Sequence, residues 1–200
     1  MIKSICNKLL SLFISLTFLT CSAQDSYRDS QLKPEKVMDA IGLKKGMVVG
    51  EAGAGRGYFT FKMSKRVGKN GKIYANDINA NVLQSIKNRC KRENINNIKT
   101  ILGKVDDPLF PEGKLDIIIM VYAFHEFDKP VDWLQNVIPY MKPDASLVII
   151  EPDVNGSGYE SRHFMSEEKI ADVMKEAEYE LVRIETFLED DNVYIYKPKN

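Results

Sequence analysis

Glu51, three glycines at every second position (Gly53, Gly55, Gly57) and Asp77, twenty residues past the last of them, carry the clearest chemistry of this chain. The run Met47-Val48-Val49-Gly50 precedes Glu51, and an apolar-periodic helix pattern follows Gly57. Glycine lacks a Cβ, so the backbone can turn tightly there and approach a ligand closely. A strand, a glycine-rich turn and a helix N-terminus build a nucleotide crevice in open α/β sheets. Asp77 closes the next apolar run, Lys72 to Asn76, where a carboxylate can accept hydrogen bonds from both hydroxyls of a ribose. A glycine-rich turn alone serves packing in many proteins. The turn, its strand, its helix and the downstream Asp in order point to a nucleoside-containing ligand.

The spacing bears on which nucleoside. A dinucleotide seats its pyrophosphate on G-x-G-x-x-G at a helix N-terminus. Here the pattern is G-x-G-x-G, with Glu51 two residues ahead. A carboxylate aimed at the ligand would repel a pyrophosphate and suit an ammonium and a sulfonium, the charges of S-adenosylmethionine. An NAD-linked oxidoreductase is disfavoured on both counts.

At these residues the chain resembles the class I S-adenosylmethionine-dependent methyltransferases, whose first motif reads acidic-x-G-x-G-x-G. Ile98 to Gly103 resembles their third strand. Leu115 to Phe127 is similar to the fourth strand and the loop after it, and Met141 to Glu151 to the turn and fifth strand. The Asp106-Asp107-Pro108, Tyr122-x-x-His125-Glu126 and His163-Phe164-Met165-Ser166 elements resemble a subgroup of small bacterial predicted methyltransferases with exported members. The resemblance covers residues 33 to 198. It implies S-adenosyl-L-methionine as cofactor, held by Glu51, Gly53, Gly55, Gly57, Tyr58, Asp77, Ile78, Asp106 and Val121. Lys104 stands where many members carry an Asp after the third strand, which moves the adenine contact to Asp106. Asp144-Ala145 replaces two glycines of the turn before the fifth strand.

Methyl transfer from a sulfonium is an in-line displacement. The cofactor supplies electrophile and leaving group, and the protein positions the acceptor and excludes water. A base is needed only when the acceptor must lose a proton. The resemblance sets Tyr122, His125 and Glu126 on the loop facing the methyl group. His125 is the candidate base, with Tyr122 beside it, because imidazole titrates near neutrality; a hydrogen-bonded histidine that orients the loop is the alternative. The resemblance makes His163 an acceptor-pocket residue, with a helix-capping or packing role as the alternative. Glu151 and Asp153 read as carboxylates for a cationic acceptor or as solvated groups, and Trp133 as core. No metal site is read from the sequence. A non-catalytic nucleoside-binding protein is the reading from a different class, and methyl turnover separates it from an enzyme.

These residues need elements to hold them. Strands are expected at 47–51, 72–77, 98–103, 115–121 and 146–151, with a hairpin of 180–188 and 192–197 around Asp190-Asp191-Asn192. Helices are expected at 34–41, 57–67, 79–92, 130–140 and 166–177, the last capped by Ser166. Alternating strands and helices argue an α/β, Rossmann-like fold: a mostly parallel seven-stranded sheet with an antiparallel C-terminal hairpin strand and helices on both faces.

The 200 residues suffice for one such domain, and 28 basic against 28 acidic residues give no net charge. Without a basic tract, nucleic acid is a poor substrate, and a small-molecule acceptor is expected. Lys3 and Lys8 precede the apolar run Leu9 to Thr20, followed by Cys21-Ser22-Ala23. That pattern reads as a signal peptide over residues 1–23, a flexible lead over 24–32 and the catalytic domain over 33–200. An exported, periplasmic protein starting at Gln24 is expected. The alternative is a lipoprotein lipidated at Cys21, which would be the protein's one attachment to a membrane. Removing 1–23 deletes two lysines and no acid, leaving 26 basic against 28 acidic residues. Cys90 then remains alone, and no intrachain disulfide can form. The sequence does not specify an oligomeric state.

Overall fold

The computed structural model describes residues 25–154 and 163–199; the signal-peptide and lipidation readings fall on residues outside these. The chain divides into two units, residues 1–33 and 34–200. In the first, residues 25–32, read as a polar lead, are helical (α1), and the Ser30 hydroxyl donates to the Tyr27 carbonyl at 2.7 Å.

The second unit opens with α2 (Pro34–Ala40), where Pro34 starts the helix at its pre-set φ. Alternation then follows as expected: β1 (Val48–Ala52), α3 (Tyr58–Val67), β2 (Lys72–Asp77), α4 (Ala80–Glu93), β3 (Ile98–Leu102), β4 (Leu115–Val121), α5 (Pro130–Val137), β5 (Met141–Pro152), α6 (Glu167–Glu176), β6 (Tyr179–Glu185) and β7 (Asp191–Pro198). The sheet order is β3-β2-β1-β4-β5-β7-β6. β1 pairs in parallel with both β2 and β4, so strand order reverses between β1 and β4. That reversal opens a crevice at the carboxyl ends of the strands.

The helices form where their sequences offer a four-residue apolar spacing. Phe59, Met63 and Val67 of α3 are all buried, and Gly68 ends the helix. Asn79 caps α4 by accepting from the Asn81 amide, and Ser166 caps α6 by accepting from the Lys169 amide, as its sequence predicts. β4 and β5 are buried on both faces, so they read as continuous apolar runs. Ile118, Ile149 and Phe124 are fully buried in the main core cluster, each contributing roughly 1.5–3 kcal/mol of transfer free energy.

Three details differ from the sequence expectation. The turn expected at Pro143 to Ala145 is part of β5, which starts at Met141; the register shifts between Leu115 and Ile117, and the irregularity accommodates a proline that cannot donate to a ladder. The hairpin turn lies before Asp191, because Asp191 and Asn192 pair with Pro152 and Glu151 of β5. The antiparallel strand β7 lies inside the sheet between β5 and β6, and β6 forms the edge.

Candidate active site

The carboxyl ends of β1, β2, β4 and β5 meet at the crevice. After β1 the backbone runs through three left-handed glycines, Gly53 (φ 71°), Gly55 (φ 53°) and Gly57 (φ 87°), before α3 begins. Gly53 has a second constraint: a Cβ there would stand 2.4 Å from the Ala123 Cβ. A Cβ at Gly55 would meet no atom of the chain within 4 Å, so it would project into open space. The Gly55 amide donates to Asp77 Oδ2 (2.9 Å), and the Asn79 amide donates to Oδ1 (2.8 Å). Asp77 thus fastens the end of β2 to the glycine turn. A carboxylate offers about four acceptor positions, which leaves two for an incoming hydroxyl pair.

A cavity of about 260 Å³ adjoins this junction. Gly53, Asp77, Ile78, Val105, Tyr122 and Glu126 are in its wall. Ile78 and Val105 are exposed apolar side chains, 63% and 45% accessible, a pair suited to the faces of a planar base. Trp133 is core, as expected, and its buried ring also reaches the cavity.

The other residues singled out by sequence stand outside the cavity wall. Asp106 lies on the loop after β3, where its carbonyl accepts from Asn136 Nδ2, while Lys104 and Val105 face the cavity. Tyr58 opens α3, with Lys62 Nζ 5.0 Å from its ring centroid. Val121 ends β4 opposite Ile150. Gly55 and Gly57 shape the turn. Glu51 is 2% exposed, and its carboxylate accepts from the Thr60 hydroxyl of α3. Burial, and secondarily the charge of Asp77, push its pKa up to about 8 against the opposing Thr60 hydrogen bond. In this structure the carboxylate expected to face a ligand is turned to Thr60 of α3.

On the opposite rim the sequence reading missed a partner. Glu151, the last residue but one of β5, has no solvent exposure, rather than being solvated or facing an acceptor. Its Oε1 accepts from the Phe124 amide (2.9 Å) and more weakly from the His125 amide (3.3 Å), and its Oε2 lies 2.7 Å from His125 Nδ1. The parallel pairing of Val121 with Ile150 predicts this proximity once the neighbouring strand is known. A carboxylate at Nδ1 places a ring proton there, so in the neutral imidazole the lone pair is on Nε2. Burial lowers the pKa of His125, but Glu151 and Glu126 outweigh it, and the net shift is upward. Nε2 lies 3.4 Å from Glu126 Oε1. Tyr122 adopts a left-handed backbone (φ 52°), and its hydroxyl donates to Asp191 Oδ2 at 2.5 Å. That bond engages the phenol with the first residue of β7.

A family model described as a methyltransferase domain matches residues 43–195. The demethylmenaquinone methyltransferase of Lactococcus lactis is 27% identical over 138 residues, 69% of this chain and 55% of that one. The ubiquinone/menaquinone biosynthesis C-methyltransferase of Salmonella arizonae is 24% identical over 115 residues, 57% of this chain and 46% of that one. The chain spans about half the length of these curated relatives. A crystal structure of a SAM-dependent methyltransferase from Aquifex aeolicus superposes with a TM-score of 0.78 at 25% identity, over 87% of this chain and 96% of that one. Geranyl diphosphate C-methyltransferase from Streptomyces coelicolor, crystallised with Mg2+, geranyl diphosphate and S-adenosyl-L-homocysteine, shares the fold (TM-score 0.70, 14% identity, 86% of this chain and 82% of that one).

Proposed function

This chain belongs to the methyltransferase-domain family, and on that premise we propose that it transfers the methyl group of S-adenosylmethionine to a small-molecule acceptor. The observation that carries the reading is the Asp77–Gly55 junction beside the cavity at the strand-order reversal. The chain's own residues fit the cofactor. Asp77 retains acceptor positions for the ribose hydroxyls, Ile78 and Val105 offer apolar faces to the base, and Gly55 leaves open the space a Cβ would fill. When bound, S-adenosylmethionine supplies the electrophilic methyl group and its own leaving group.

The remaining work is positioning and exclusion of water. Tyr122, held by Asp191, and Ala123 close the cavity next to Gly53. His125, locked by Glu151, turns Nε2 toward Glu126, which lines the cavity. This rim is where the acceptor enters in our reading. The names of the two curated relatives make a quinone-type ring one acceptor to assay.

Titration calorimetry with S-adenosylmethionine and S-adenosylhomocysteine, followed by a labelled-methyl assay on fractionated cell-envelope extract, tests the proposal. Binding of both ligands with label incorporated into a small product is the expected result. Binding without turnover on any fraction would favour a non-catalytic binder, and no binding of either ligand would refute the proposal. Export, with loss of residues 1–23 or anchoring at Cys21, belongs to the same proposal; N-terminal sequencing and intact mass of the native protein test it. Among the described residues no helix is long and apolar enough to cross a membrane.

A further inference from the structure

The chain has two histidines, and they converge on one carboxylate. His125 Nε2 stands 3.4 Å from Glu126 Oε1, and His163 Nε2 stands 3.7 Å from the same atom. One ligand atom from each of the three residues lies within 4.8 Å of the others. Metal–nitrogen and metal–oxygen bonds of about 2.0–2.2 Å in a tetrahedral site set neighbouring ligand atoms about 3.4 Å apart, so the trio is already near ligating separation.

The support behind the trio is also that of a ligand set. Glu151, buried and held by two backbone amides, occupies His125 Nδ1 and aims Nε2 at the cluster. Metal-ligating imidazoles are oriented in this way, with the second ring nitrogen bonded to a carboxylate. Phe164 packs edge-on against both imidazole rings, with centroids 4.7 Å from each. His125 is 5% exposed at the side chain, while Glu126 and His163 are each 65% exposed, so two ligands can adjust around one fixed ligand.

We propose that His125, Glu126 and His163 bind one divalent first-row transition ion of the zinc class, with an open coordination position facing the cavity. Two imidazoles and one carboxylate suit such an ion, whereas Mg2+ and Ca2+ favour all-oxygen shells. Three protein ligands leave at least one position for a water or a substrate atom. Glu126 lines the cavity, so a ligand lying there can reach that position, and an oxygen donor such as a phenol, enol or carboxylate of the acceptor suits the ion. The inference rests on the methyltransferase reading only for what occupies the open position. With the ion bound, His125 Nε2 is a ligand and is no longer available as a base.

The test uses tag-free full-length protein stripped with a chelator. Zn2+ is titrated by calorimetry and by competition with a chromophoric chelator, and Co2+ by its visible d–d absorption. One ion per chain is expected. His163→Ala and Glu126→Gln should each weaken Zn2+ binding at least tenfold, and Glu151→Gln should weaken it about 10–100-fold through the orientation of His125. Acetohydroxamate, a bidentate oxygen donor, should shift the Co2+ spectrum. Because His163 is exposed, its variant stays folded, which circular dichroism checks. Sub-stoichiometric metal, or equal affinity in wild type, His163→Ala and Glu126→Gln, would overturn the site; an unshifted Co2+ spectrum would overturn the open position. S-adenosylmethionine titrated into the same stripped protein reports separately on the cofactor, so loss of one reading is distinguishable from loss of the other.

Discussion

Asp77 Oδ2 accepts the Gly55 amide at 2.9 Å across 22 residues of sequence, so the carboxylate that closes β2 also holds the turn that follows β1. In the function proposed above, the same carboxylate takes the ribose. Asp77→Ala should weaken S-adenosylmethionine binding by about 1.5–3 kcal/mol, the scale of lost hydrogen bonds to a charged group. Calorimetry yielding wild-type affinity would remove Asp77 from the cofactor site.

Gly53 and Gly55 should separate packing from ligand approach. Both are left-handed, at a cost of roughly 1–2 kcal/mol for any other residue. At Gly53 an added methyl also collides with Ala123, adding roughly 1–3 kcal/mol of overpacking. Gly53→Ala should therefore melt well below Gly55→Ala. Gly55→Val should abolish cofactor binding while lowering the melting temperature less than it lowers affinity. Equal melting temperatures for the two alanine variants would contradict the clash.

Glu51 makes stability depend on pH. Its carboxyl, near 4.5 when unfolded and pushed up to about 8 when folded, binds its proton more tightly in the native state. Its contribution is full below about pH 4.5 and is lost as pH rises toward and through about 8. Glu51→Gln keeps a polar partner for Thr60 and removes the titration. Denaturant melts should show the wild type losing stability relative to this variant between pH 5 and 9. A difference that does not change with pH would show Glu51 ionised in the fold.

Tyr122→Phe leaves the Asp191 carboxyl without its phenol. Burial already raises the pKa of Asp191, and the phenol hydrogen bond opposes that rise. The variant should lose about 1–3 kcal/mol of stability, with cofactor affinity changing by less than that. A fully stable variant with abolished turnover would return Tyr122 to the chemistry proposed for it from sequence.

The sequence displays what local pattern encodes. The apolar run before Glu51, the glycine spacing and the carboxylate at Asp77 specify β1, the turn and the end of β2, and the structure brings Gly55 and Asp77 together. What the sequence hides is pairing across strands. Glu51 looks like a charge for a ligand until Thr60 of α3 folds over it. Glu151 looks solvated until β5 aligns with β4 and delivers it to His125, 26 residues earlier. His163 reads equally as a pocket residue or as a capping or packing one; the structure gives the cap to Ser166 and sets His163 beside Glu126 and against the rings of His125 and Phe164. Register between strands far apart in sequence is a tertiary property, which one-dimensional periodicity does not carry.

The placement of β7 inside the sheet has a consequence for the order of assembly. Asp191 begins β7, and it is the residue that receives the Tyr122 hydroxyl. On a ribosome, β1 to β3 and the glycine turn emerge long before β7, and a domain folds as a unit, so the sheet stays incomplete until its last strand takes its place beside β5. A nascent chain stalled before Asp191 would therefore lack both the carboxylate that accepts the Tyr122 hydroxyl and the antiparallel neighbour of β5.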